Sequence, residues 1–225
     1  HRHLAERTNR IEVRTIRQLL RLRIDLNVPG LRPRFVQRDA GGERACERRE
    51  ALADARDVFW RNGYAGTSLD QLSAATGMNR PSLYGAFGDK RALYLTTLER
   101  YIEAGRLAMV HALAEDLPLP QALLRVYEGA LAWYLPADGD PLGCFMIGTA
   151  TVEAAADAEV RTALGEGLRT YDKAFEKRFK LAQATGELAA DAQPALLAKL
   201  ASAILHSLAL RSRAGDSRAS LRATA

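Results

Sequence analysis

The sequence predicts an all-α protein, a three-helix unit ahead of a larger helical body, on three observations. Alanine and leucine dominate while valine, isoleucine and the aromatics are thin, a bias that favours helices over sheets. From Glu47 onward apolar residues recur at spacings of three and four. Glycines and prolines fall between those runs, where helices should stop. With 48% hydrophobic residues in a chain of 225, a sizeable core can be buried.

Residues 1–45 read differently from the rest. Ile11, Val13, Ile16, Leu19, Leu20 and Leu22 can line a short arginine-rich helix, which Asn27-Val28-Pro29-Gly30 and Arg32-Pro33-Arg34 then break. Gly41-Gly42 reads as a linker. The segment is either a functional basic arm or a poorly ordered extension, and the extension is the expectation.

The helices follow in order. The first carries Leu52, Ala55 and Phe59 and stops at Gly63. Thr67-Ser68 supplies cap chemistry for a second, with Leu69 and Leu72 on one face and Gly77 at its end. Asn79 caps a third that turns Leu83 and Phe87 inward, with Pro81 in its first turn. Asp89 caps a fourth, running through Leu93, Tyr94, Leu98, Tyr101 and Ile102 and fading near Leu117-Pro118. A fifth holds Leu124, Tyr127, Leu131 and Tyr134, followed by a loop over 136–143. Residues 144–156 read as a helix, and 157–185 as a long one built on Val160, Leu164, Leu168, Tyr171, Phe175 and Phe179. The last, 194–213, is apolar on most sides, which places it in the core or against another subunit.

Charge is distributed unevenly. Residues 1–50 hold 13 Arg and 7 Asp or Glu, a net +6, while the remainder is nearly balanced with 19 basic and 20 acidic residues. A basic end suits a polyanion such as DNA, and equally suits a solvated tail. Charged residues interrupt every apolar stretch, which argues against a membrane span, and the arginine-rich opening lacks the form of a secretory signal. Cys46 and Cys144 suggest no disulfide framework, so a reducing cytoplasm is the expected location.

The stretch from Thr67 to Lys90 carries the most information. Two short helices joined through Ala75-Thr76-Gly77-Met78 have helix-turn-helix spacing, with Leu69, Leu72, Met78, Leu83 and Phe87 turned inward. Arg80, Ser82, Tyr84 and Gly85 are left to face outward: hydrogen-bonding groups and a small residue, as close approach to DNA requires. Over about Glu47 to Leu98 the chain resembles the TetR family of regulators. The resemblance is carried by Gly63-Tyr64-Ala65-Gly66-Thr67-Ser68 and then Leu72, Gly77, Tyr84, Phe87 and Lys90. In the C-terminal half it is looser, with Gly143-Cys144-Phe145 similar to one subgroup.

The resemblance implies a DNA-binding domain over residues 46–90 and a helical ligand-binding and dimerisation domain over 91–225. It implies a homodimer on double-stranded operator DNA, released by a small-molecule effector, with no cofactor. Thr67 would meet a phosphate through its hydroxyl or N–H. Arg80 and Ser82 would read base edges, Arg80 best suited to guanine. Tyr84 would touch a phosphate or a thymine methyl, Lys90 would meet the backbone as a point charge, and Asn79 stands at the same helix start.

On the ligand side, Tyr127, Trp133, Tyr134, Phe145, Met146 and Thr149 either line a pocket or pack as ordinary core. Glu153 either binds a polar ligand group or faces solvent. Cys144, after Gly143 at a helix start, is either a reactive sensor or a buried structural thiol. His111 and His206 lack metal-ligand spacing with each other and with either cysteine. An enzyme finds no paired carboxylates, nucleophile–base spacing or phosphate loop here. An architectural DNA-binding protein without an effector, and an activator rather than a repressor, stay open.

Overall fold

The computed structural model describes residues 40–225, apart from Glu115 and residues 137–139. The expectations for residues 1–39 lie outside the described residues. Two compact units divide between Glu50 and Ala51. What is described of the first is the start of helix α1 (Ala40–Asn62). Gly41-Gly42, expected as a linker, lie inside that helix. A glycine costs about 1 kcal/mol in a helix, and extending an established helix by a turn can offset it.

The second unit holds the rest of α1 and, in order, α2 (Leu69–Thr76), α3 (Arg80–Phe87), α4 (Lys90–Ala114) and α5 (Leu119–Tyr134). A π-helical turn (Met146–Ala150) then runs into α6 (Thr151–Glu153), followed by α7 (Ala158–Ala184), α8 (Pro194–Arg213) and α9 (Arg218–Thr224). The described residues contain no strand.

The caps sit where the side chains demand. Ser68 accepts from the Gln71 N–H at 3.1 Å while the Gln71 side chain accepts from the Ser68 N–H at 2.7 Å, a reciprocal cap that starts α2. Gly77 ends α2 at φ +66°, a left-handed position that favours glycine. Asn79 Oδ1 accepts from the Ser82 N–H at 2.9 Å and starts α3. Asp89 does the same for α4 through the Ala92 N–H at 2.8 Å.

The body is built on α7 packed along α8, with α4 and α5 laid against them. Phe145, Phe175, Leu131 and Leu208 are fully buried there. By length and composition α8 could cross a membrane, yet Ala198, Ala201, Leu205 and Leu208 are spent on the protein core.

The helix expected over 144–156 is present over 145–153, with a wide π-turn at Met146–Ala150; Thr149 donates to the Phe145 carbonyl at 2.8 Å and Thr151 to Ile147 at 2.7 Å. Gly143 leads in at φ +64°, where an added Cβ would lie 2.7 Å from the Ala209 carbonyl oxygen, so glycine is required twice over. Helix α9 was not expected. Ser217 caps it through the Ser220 N–H at 3.2 Å, and Leu221 is buried beneath it.

Two joints tie the helix-turn-helix to the body. The Trp60 indole N–H donates to the Leu142 carbonyl at 3.1 Å, and Arg213 donates to the carbonyls of Trp60 and Leu142 at 3.1 and 3.0 Å. At the start of α4, Arg91 donates to Asp157 and, at 2.7 Å, to Glu159.

Candidate nucleic-acid interface

Helices α2 and α3 are wedged at a fixed angle by Leu72 and Leu83, both buried, with Leu69, Met78 and Phe87 partly buried against the same core. The opposite face of α3 presents Arg80, Ser82, Tyr84 and Gly85, all exposed, with Tyr84 at 45%. Gly85 is informative because no atom lies within 4 Å of where its Cβ would be. Internal packing does not require a glycine there, although one in mid-helix costs about 0.5–1 kcal/mol relative to alanine.

Arg80 is not loose. Its Nη2 and Nε lie 2.6 and 3.2 Å from Oδ1 of Asp70, on the first turn of α2, and that hydrogen bond pushes the guanidinium pKa up. Lys90 Nζ rests 4.4 Å from the centre of the Tyr64 ring, a cation–π contact that aims the ammonium beside α3. Burial, and next the Asp89 carboxylate, raise the Tyr64 phenol pKa.

Two expected contacts look different in place. Thr67 is 2% exposed, its hydroxyl donates to the Gly63 carbonyl at 2.7 Å, and its N–H goes to Tyr64 at 3.2 Å. Both donors are engaged in the turn ahead of α2, where they hold the lead-in to the motif. Asn79 is exposed, but its amide oxygen is committed to capping α3.

Residues 51–97 match the model of bacterial regulatory proteins of the tetR family, and residues 120–225 match the tetracyclin repressor-like C-terminal domain. A regulator from Bacillus subtilis, YezE, is 30% identical over 138 residues, covering 61% of this chain and 70% of its own. The chain belongs to the TetR family. Another member, the transcriptional repressor ComR of Escherichia coli, is 29% identical over 185 residues, covering 81% of this chain and 87% of ComR. Among solved structures, the TetR-family regulator CifR, in complex with a 26-base-pair operator DNA, superposes with a TM-score of 0.67 at 29% identity. It covers 85% of this chain and 95% of its own.

In this TetR-family chain the residues expected on the ligand side divide into two groups. Trp133 borders a cleft between α4 and α5, with Tyr101, Tyr134 and Tyr171. Tyr127, Phe145, Met146 and Thr149 are packed inside instead. Thr149 shares a 2.8 Å hydrogen bond with Tyr94, and Tyr127 donates to the Ala201 carbonyl at 3.2 Å. Glu153 is half-buried on α6. Cys144 is 3% exposed, and burial pushes its thiol pKa up against hydrogen bonds from Tyr101, from the Met146 and Ile147 N–H groups and from Tyr134. It therefore stays protonated at neutral pH. His111 and His206 belong to no metal-ligating group among the described residues.

Sequence reasoning missed Asp70 behind Arg80, Tyr64 beneath Lys90, and the α4 side of the cleft. Opposite charges ten positions apart carry no local signal. Gly105, Ala108 and Ala112 do, because small residues at helical spacing mark a surface where something approaches closely.

Proposed function

We propose that this chain is a DNA-binding transcriptional regulator, acting as a repressor. It grips double-stranded operator DNA as a homodimer and releases it when a small molecule fills the cleft between α4 and α5. The observation that carries the reading is the outward face of α3, where Arg80, Ser82, Tyr84 and the sterically unconstrained Gly85 stand free of the core. Arg80 offers paired N–H donors to a guanine edge, Tyr84 and Lys90 flank it toward the phosphates, and Gly85 lets the helix backbone come close. The operator-bound state of CifR supports the same use of this motif.

The dimer reading rests on α8. Leu196, Leu200, Ala203 and Leu210 are all exposed and recur at spacings of four, three and seven, forming one apolar stripe, with Leu181 of α7 also exposed. Such a stripe suits a helix seam with a second copy. Two recognition helices would then meet successive major grooves about 34–36 Å apart. The coupling runs through α4, which starts beside α3 and walls the cleft farther along. A ligand that favours one setting of α4 shifts the population of DNA-competent dimers. The reading needs no catalysis and places the protein in the cytoplasm with its operator.

Fluorescence anisotropy on an operator selected from random DNA tests it. The chain should bind that operator at least 1000-fold, as an order of magnitude, more tightly than random duplex at 0.15 M salt. Equal affinity for both would contradict it.

A further inference from the structure

Helix α8 carries the exposed apolar stripe along its length and reaches the DNA-binding helices at its last residue. Arg213 Nη1 donates to the Trp60 carbonyl at 3.1 Å and to the Leu142 carbonyl at 3.0 Å. The Trp60 indole N–H donates to that same Leu142 oxygen at 3.1 Å. One nitrogen thus ties three pieces of chain: the end of α1, the loop before the π-turn and the end of α8. Among the described residues, Arg213 makes the hydrogen bond that reaches α1 from α8.

Both sides of this contact are held. Trp60 lies in the last turn of α1, where carbonyls lack an intrahelical partner. A cation is favoured there by the helix dipole, and a charged donor makes a stronger hydrogen bond than a neutral one. The Trp60 ring stands edge-on to Tyr101 of α4 at 5.2 Å and tilts against Phe145 at 6.0 Å. On the α8 side, Ser212 is fully buried and donates to the Ala209 carbonyl at 2.9 Å. Gly143 fits so closely there that an added Cβ would lie 3.4 Å from Arg213 Cβ. Because Leu72 and Leu83 bind α2 and α3 to the same core, turning the end of α1 turns the reading helix with it.

We infer that Arg213 is a positioning residue for operator recognition. It fixes the angle of each reading head against the dimer seam, and so sets which half-site spacing the dimer accepts. The inference rests on the dimer and DNA readings above and assigns part of the specificity to a residue outside the reading helix. Inserting one base pair between half-sites moves one of them by about 3.4 Å and turns it by roughly 35° about the duplex axis. Heads clamped to the seam cannot follow that turn. Heads released from it can.

Fluorescence anisotropy on the full chain tests the inference. The half-site selected from random DNA is presented singly, and as inverted repeats whose centre is lengthened or shortened by one or two base pairs. The parent should bind its best spacing about tenfold or more tighter than the neighbouring ones. Arg213→Met keeps the apolar stem and removes the donors. It should bind the single half-site within about twofold of the parent, while its spacing preference falls to about threefold or less. Arg211→Ala removes a cation from the same helix end and should keep the parent's preference. A spacing preference in Arg213→Met equal to the parent's overturns the inference and leaves the dimer reading standing. Equal flattening in Arg211→Ala overturns it too, by making the effect one of charge. So does a matching loss on the single half-site, which would make Arg213 a local support of the motif. A parent indifferent to spacing contradicts the dimer reading, and the inference falls with it.

Discussion

The guanidinium of Arg80, which opens α3, rests on the carboxylate of Asp70 on α2, with Nη2 2.6 Å from Oδ1. Both side chains are exposed, at 53% and 77%, so the pair adds little to stability and its consequence is orientation. It holds one edge of the guanidinium and leaves the other N–H groups directed away from the protein. Asp70→Ala should therefore lower discrimination among operators. It should also raise affinity for random duplex, because a negative charge near the phosphates is gone. Competition binding on matched and mismatched duplexes checks this. Unchanged discrimination would show that Arg80 needs no positioning.

Lys90 acts as a charge and not as a reader of sequence. Lys90→Ala should weaken specific and random DNA alike and reduce the salt slope by about one. Tyr64→Leu should have a smaller effect in the same direction, since it removes the ring that aims the ammonium. A salt titration of affinity for both variants decides the point. A loss confined to one operator sequence would reassign Lys90 to base contact.

Arg91 bonds Asp157 and Glu159, joining the start of α4 to the start of α7, where Asp157 also accepts from the Glu159 and Val160 N–H groups. The hydrogen bond from Arg91 and then those backbone donors hold the Asp157 carboxyl well below the usual carboxylate range. The unfolded chain thus takes up a proton at this carboxylate before the folded one does. Its contribution to stability is full above about pH 4 and is lost as the pH falls toward the lowered folded value. Between pH 5 and pH 2.5, as approximate limits, urea midpoints should fall more steeply for the parent than for Asp157→Asn. At neutral pH Arg91→Ala should keep operator binding but blunt its response to a cleft ligand. An undiminished response would place the coupling elsewhere.

The α8 stripe makes a simpler prediction. Leu196→Glu with Leu200→Glu should yield a folded monomer by sedimentation, because both side chains are already in solvent within one chain and the change meets no core. That monomer should lose most of its operator affinity, since two half-sites no longer act together. A dimer that survives both charges would move the interface off this face.

Most of the helix-turn-helix was legible in the sequence because its information is local. Caps at Ser68, Asn79 and Asp89, the left-handed Gly77, and the inward Leu72 and Leu83 lie within a short span, and each constrains its neighbours. The cleft was less legible. Periodicity marks Tyr127, Phe145 and Met146 as inward-facing, but it cannot say whether the interior they face is filled. They are packed, and open space lies beside Gly129, where a side chain is missing, while Tyr171 fills the gap at Gly105. The π-turn at Met146–Ala150 was hidden because hydrophobic periodicity marks a helix there without distinguishing a widened turn from a regular one. Asp70 escaped notice because its partner lies across a turn, on another helix.

Selection of bound fragments from random DNA, run in parallel on the parent and Arg80→Ala, tests most directly that α3 reads the major groove. The parent should enrich an inverted repeat whose half-site centres are about 10 base pairs, or a multiple of that, apart. Arg80→Ala should lose a guanine preference at one symmetric position, with discrimination there falling roughly ten- to a hundredfold, while the rest of the motif stays. An identical motif from both proteins, or no symmetric motif from the parent, would contradict the account.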